Sequence, residues 1–201
     1  MARNLTPIVK QSRREAIALH PKAIKGLTKH PYKPGQHGPN AGRSKPSQFS
    51  IQLREKQKVK RMYGLLEKQF LKVVREAERR TGNSGELMLT QLEQRFDNAI
   101  YRLGIAPSRQ SARQLVTHGH FMLNGRRVDI PSITLKPGDE FSVRPKSAAN
   151  AYFKQLEGGD APVRWLTFDT KKLKGKVTGL PAREDIAEEI HEQLIIEFYS
   201  R

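Results

Sequence analysis

Residues 92–143 read LEQRFDNAIYRLGIAPSRQSARQLVTHGHFMLNGRRVDIPSITLKPGDEFSV, and this stretch decides the fold. Leu92, Phe96, Ala99, Ile100 and Leu103 recur at helical spacing. Pro107-Ser108 then opens a second helix with Ser108 as its N-cap. Ala112, Leu115 and Val116 line the inner face of that helix, Arg109 and Arg113 lie four apart on the outer face, and Gly119 supplies a left-handed close. His120 to Leu123 reads as a strand, Asn124-Gly125 as a two-residue hairpin turn and Arg126-Arg127-Val128 as the return strand. Pro137-Gly138-Asp139 makes the next turn, before a strand at Phe141-Ser142-Val143. A cationic helix face beside a cationic hairpin is suited to gripping a polyanion.

The composition agrees. The 201 residues include 37 Lys and Arg against 20 acids, a formal charge of +17. Such a charge calls for an anionic partner, either nucleic acid or an anionic membrane surface. No apolar run approaches the roughly 20 residues that span a bilayer, and the first residues lack the apolar region of a secretory leader. No membrane partner is therefore expected. There is no cysteine, which excludes disulfides and thiolate metal sites and fits a cytoplasmic or organelle-matrix setting.

The charge is unevenly placed. Residues 1–50 hold ten cations and one acid, Glu15. The cations include Arg3, Arg13, Arg14, Lys33, Arg43 and Lys45. The run His30-Pro31-Tyr32-Lys33-Pro34-Gly35-Gln36-His37-Gly38 is too poor in apolar residues to offset its own ordering entropy. Residues 1–48 are thus expected to form an extended basic arm ordered by a partner, with Tyr32 and the histidines stacking on unpaired bases. From Ser50 to Arg80 the pattern is helical and basic, interrupted at Tyr63-Gly64, and Thr81 to Gly85 has the composition of a linker. Residues 181–201 carry two basic and six acidic residues. Their apolar set (Ile186, Ile190, Leu194, Ile195, Ile196 and Phe198) predicts a helix from Pro181 that docks on the helical part. Strands are expected at Arg164–Phe168 and Lys174–Thr178, with Trp165 a packing residue.

The fold class is therefore α+β. The expected organisation is a basic arm over 1–48, a helical domain from 49–90 plus 181–201, and an α+β RNA-binding domain over 91–180, its module spanning 92–155. The second domain combines antiparallel sheet with helices.

Arg113-Gln114-Leu115-Val116, His120 to Val128, Ile130-Pro131-Ser132 and Lys136-Pro137-Gly138-Asp139, in that order, resemble the RNA-binding module of the small-subunit ribosomal protein S-four family. That module also occurs in some tRNA synthetases, pseudouridine synthases and heat-shock RNA binders, so the flanks matter. Pro31 to Gly38, Leu53 to Lys58, Tyr63 to Phe70 and the ending Glu197 to Arg201 are similar to the bacterial and organellar type of the family. The resemblance implies a structural component of the small ribosomal subunit. Such a protein binds the 5′ domain of small-subunit ribosomal RNA early, nucleates assembly and contributes to decoding accuracy. It also implies contact with neighbouring small-subunit ribosomal proteins and with messenger RNA where it enters the subunit. Some members bind zinc through N-terminal cysteines. This chain keeps only His20, His30 and His37 in that region, a poor ligand set, so no metal and no cofactor is expected.

The RNA-binding residues expected are Arg109 and Arg113 on one helix face, His118 and His120 beside them, and Arg126 and Arg127 on the hairpin. Arg54, Lys58 and Arg61 form a second group, and Arg3, Arg13, Arg14, Lys33, His37, Arg43 and Lys45 a third along the arm. Arginine is favoured because its guanidinium forks onto phosphate. An enzyme with a small-molecule substrate is not expected. Asp129, Asp139 and Glu140 lie in or beside turns, and neither a Walker-type loop nor a nucleophile elbow is present. The alternative is a free RNA chaperone or translational repressor built on the same module. Sedimentation separates the two, since a ribosomal protein travels with small subunits in high salt.

Overall fold

A computed structural model describes residues 4–40, 45–156, 163–186 and 189–200. The chain divides into two compact units, one formed by residues 1–85 and 189–201 and the other by 86–188.

The first unit is helical. It contains α1 (Ile8–Glu15), α2 (Pro21–Lys29), α3 (Gln48–Met62), α4 (Glu67–Glu78) and the late helix α10 (Glu192–Tyr199). Residues 8–29 are thus largely helical rather than extended. Two local signals account for this. Pro21 stands at the first position of α2, and the His20 ring accepts a hydrogen bond from Lys22 N at 3.0 Å. Burial and neighbouring Lys22 lower the His20 pKa, favouring the neutral ring that can accept. The arm also buries more than its composition promised: Ala23 and Ser12 are fully buried.

Between α3 and α4, Gly64 takes φ +65°, which permits the sharp turn. The core of this unit is Val59, Met62, Phe70, Val74, Ala77 and Ile195. Full burial of a side chain like Ile195 contributes about 1.5–3 kcal/mol. Polar contacts fix α10 on α3: Gln52 donates to Glu197 at 2.8 Å, and the His191 amide donates to Glu55 at 2.9 Å.

Glu67, the first residue of α4, accepts from Lys56 and Lys60, each at 2.7 Å, and from the Tyr199 hydroxyl at 2.6 Å. Burial alone would raise its pKa, but these three donors outweigh that and hold it at about 2. A carboxylate with a depressed folded pKa stabilises the fold above its unfolded value, here near 4.5, and that contribution is lost as pH falls towards about 2. Urea midpoints measured between pH 5 and 2 should therefore fall more steeply for the wild type than for Glu67→Gln. Parallel curves would contradict this assignment.

The expected helix from Pro181 is not formed. A short 3₁₀ turn at Arg183–Asp185 is held by Asp185, which accepts from the Ala182 amide at 2.9 Å, and α10 begins only at Glu192. Ile186, buried, falls in the second unit.

The second unit holds most of α5 (Ser84–Glu93), then α6 (Phe96–Arg102) and α7 (Arg109–Thr117). A five-stranded antiparallel sheet follows, in the order β2 (Arg126–Val128), β1 (Phe121–Leu123), β3 (Glu140–Val143), β5 (Lys174–Val177), β4 (Leu166–Asp169). Two single-turn helices, α8 (Pro145–Ala148) and α9 (Ala151–Lys154), come between β3 and β4.

The apolar periodicity from Leu92 to Leu103 suggested one helix, but the backbone breaks at Gln94-Arg95. There the Leu135 amide donates to Gln94 O at 2.9 Å, and the Phe96 amide donates to Ile133 O at 2.9 Å. Non-local backbone pairing has replaced one helical turn. α5 also starts at Ser84, inside the expected linker.

Asn124 (φ 47°) and Gly125 (φ 78°) form the predicted primed hairpin turn. Asp139 braces it, accepting from Asn124 Nδ2 at 2.9 Å and from the Lys136 amide at 2.8 Å. Asp139 thus acts as a bracing residue of the turn. The core gathers Phe96, Ile100, Ala112, Val116, Phe121, Leu135, Phe141 and Trp165. Trp165 is a packing residue, as its sequence context suggested.

Candidate nucleic-acid interface

The site begins with α7. Ser108 Oγ accepts from the Ser111 amide at 3.2 Å and sets the helix start, so Arg109 and Arg113 emerge one turn apart on one face. They are not solvated freely. Arg109 Nε donates to Asn98 Oδ1 at 2.9 Å, and its guanidinium lies 4.6 Å from the centre of the Tyr101 ring. Arg113 Nη1 lies 3.9 Å from Asp97 Oδ2. Burial lowers the Arg113 pKa; Asp97 opposes this and Arg95 adds to it.

Behind this face lies a buried polar layer that the sequence reading did not anticipate. Arg95 forks onto Asp97 through contacts of 3.0 and 2.8 Å. Arg102 forks onto Glu93 at 2.9 and 2.8 Å, and Asn98 Nδ2 donates to Glu93 Oε2 at 2.8 Å. The Glu93 side chain is 1 % exposed. Asn98 and Arg102 are four apart on α6, which was the available signal, but helical spacing alone could not say which acid they would meet.

The second part of the site surrounds Gly119. This residue takes φ +69° after α7, where a left-handed glycine closes the helix. A Cβ there would stand 2.8 Å from Arg127 Nε, so the Arg127 guanidinium lies directly over the glycine. Arg144 Nη1 donates to Gly119 O at 3.1 Å, bringing a cation the sequence reading passed over into the same notch. The His120 ring is within hydrogen-bond distance of Ser147 Oγ at 3.0 Å. Burial, then His118 and Arg144, lower the His120 pKa.

The strand register separates the hairpin arginines. Arg127 pairs with Met122 and Arg126 with Leu123, so they point to opposite faces of β2. Arg127 joins the Gly119 notch, and Arg126 does not share its face.

The other expected contacts divide sharply. Arg13 folds inward: Nε donates to His30 O at 3.2 Å and Tyr32 O at 3.1 Å, and its guanidinium stacks 4.8 Å from the centre of the Tyr32 ring. It clasps the 30–33 turn. Arg54 and Arg61 both bind Glu15, whose side chain is 1 % exposed. Lys58 pairs with Glu55 at 2.7 Å and donates to Glu189 O at 2.9 Å. These four cations hold the fold. Arg14, Lys33, His37, Lys45, His118, Arg126 and Arg127 are exposed. Arg3 and Arg43 lie outside the described residues. Among the described residues, no group of His and carboxylates is arranged to hold a metal ion.

Residues 3–93 match the family model described as ribosomal protein S4/S9 N-terminal domain, and residues 94–141 match the S4 domain. Relatives named small ribosomal subunit protein uS4 align along the whole of both chains. The identity is 46 % for the protein of Roseiflexus castenholzii, 48 % for that of Clostridioides difficile and 45 % for that of Thermus thermophilus. With family models matched from residue 3 to residue 141 and relatives at 45–48 % identity over the whole chain, the chain belongs to the small ribosomal subunit protein uS4 family.

Proposed function

We propose that this chain is a structural, non-enzymatic component of the small ribosomal subunit. It binds small-subunit ribosomal RNA through the face formed by α7, the Gly119 notch and β2. The observation that carries this is the bracing of Arg109 and Arg113 by Asn98, Tyr101 and Asp97. Cations held in fixed poses meet a fixed phosphate pattern without first losing rotamer freedom. Arg127 and Arg144, gathered on Gly119, extend the same surface.

Recognition on this reading is of shape, because the deep groove of A-form RNA hides its base edges. The RNA is the 5′ domain, bound early enough to nucleate assembly, and fixing its helices bears on decoding accuracy. Arg14, Lys33, His37, Lys45 and Arg126 supply further contacts. The division of labour is a helical domain, an α+β RNA-binding domain and an N-terminal segment that meets RNA on its outer side. Neighbouring small-subunit proteins, and messenger RNA where it enters the subunit, complete the set of partners.

Arg113→Ala should weaken binding to a 5′-domain transcript about tenfold and lower the logarithmic salt slope by about 0.7 to 0.9. The ranking of RNA targets should not change. Filter binding at several KCl concentrations reads both quantities. A variant with altered target preference and an unchanged slope would argue for base readout instead.

A further inference from the structure

We infer that Asn98 is a positioning residue for RNA binding, setting the pose of Arg109 through a relay that begins at Glu93. This rests on the reading that Arg109 meets RNA.

The chemistry of the amide leaves one orientation. Asn98 Nδ2 lies 2.8 Å from Glu93 Oε2 and 3.1 Å from Glu93 O, two groups that only accept. The NH₂ side must therefore face Glu93, and Oδ1 is turned towards Arg109 Nε at 2.9 Å. Glu93 is itself fixed by the two-pronged contact from Arg102. Asn98, Tyr101 and Arg102 fall three and four residues apart on α6, so one helix face carries the relay, the aromatic bed under Arg109 and the clamp on Glu93.

Asn98 is 2 % exposed. It cannot touch a phosphate, so any effect it has on RNA affinity passes through another group. An unsupported arginine must give up rotamer freedom when it meets its phosphate, whereas a braced one has already done so.

The test is a double-mutant cycle on the full chain, with a 5′-domain transcript as probe. Affinity, salt slope and thermal midpoint are read for each variant. Arg109→Ala should weaken binding about tenfold and lower the slope by about 0.7 to 0.9, since one cation is gone. Asn98→Ala should weaken binding about three- to tenfold with the slope unchanged, since no charge is removed. The double variant should bind within about twofold of Arg109→Ala alone, because the second change removes support for a side chain already absent.

A second pair covers the case in which Asn98→Ala does not fold. Tyr101→Phe keeps the ring and should match the wild type, while Tyr101→Leu should bind about threefold weaker. If Arg109→Ala weakens binding but Asn98→Ala and Tyr101→Leu do not, or if their losses multiply with that of Arg109→Ala, positioning is refuted while the RNA reading stands. If Arg109→Ala leaves affinity and slope unchanged, the RNA reading fails at this residue and the inference with it.

Discussion

Glu15→Ala should lower the stability of the first unit by about 3 kcal/mol. Glu15 is the single acid among the first fifty residues, and its carboxylate is bound by both Arg54 and Arg61. Removing one member of a buried ionic group leaves its partners uncompensated, at about 3–5 kcal/mol. The lower end applies because the Arg54 side chain is 36 % exposed and water screens it. Glu15→Gln should cost less. Burial raises the Glu15 pKa despite the opposing pull of Arg54 and Arg61, so the charge already carries a large desolvation cost that the neutral isostere avoids. Urea unfolding at neutral pH checks the order wild type, then Gln, then Ala. An alanine variant within 1 kcal/mol of the wild type would show that α1 is held by something else.

Phe96→Ala should be more damaging still, at about 3–5 kcal/mol. Phe96 is fully buried, with the Phe121 ring centre 5.7 Å away and the Phe141 ring centre 5.9 Å away, both edge-on. The truncation removes a large side chain and two aromatic contacts of about 0.5–1.5 kcal/mol each. It also leaves a hole where α6 meets β1 and β3. Phe96→Leu, which refills most of that volume but makes neither ring contact, should cost less, at about 1–3 kcal/mol. Thermal unfolding of the two variants side by side measures the difference. Near-identical midpoints would mean that the core collapses around the gap.

What could be read from the sequence was what local chemistry decides. The Ser108 cap, the left-handed Gly119, the Asn124-Gly125 hairpin and the Pro137-Gly138 turn depend on one or two residues each, and the structure has all of them. The strands at Leu166–Asp169 and Lys174–Val177 lie within a residue or two of the apolar alternation that predicts them. What escaped depends on partners far apart in the chain. The break at Gln94-Arg95 exists because residues 131–135 supply backbone partners. The polar layer of Glu93, Asp97 and Asn98 looks like an ordinary helix surface until α7 is laid over it. The same limit hid the partners of four expected RNA contacts, Arg13, Arg54, Lys58 and Arg61, because a sequence shows charge but not what neutralises it. Arg144 was overlooked for the converse reason, since it follows a strand end and enters the notch only through the carbonyl of Gly119.

Because the first unit draws its late helix from residues 189–201, its assembly must wait for synthesis of everything between. At about 5–20 residues per second, the roughly hundred residues of the intervening unit delay closure by about 5–20 s. Until then Phe70 lacks the Tyr199 ring that lies 6.2 Å from it in the finished unit, and Ile195 is missing from the core. A translation product stopped short of residue 189 would carry the first unit without the late helix that closes it.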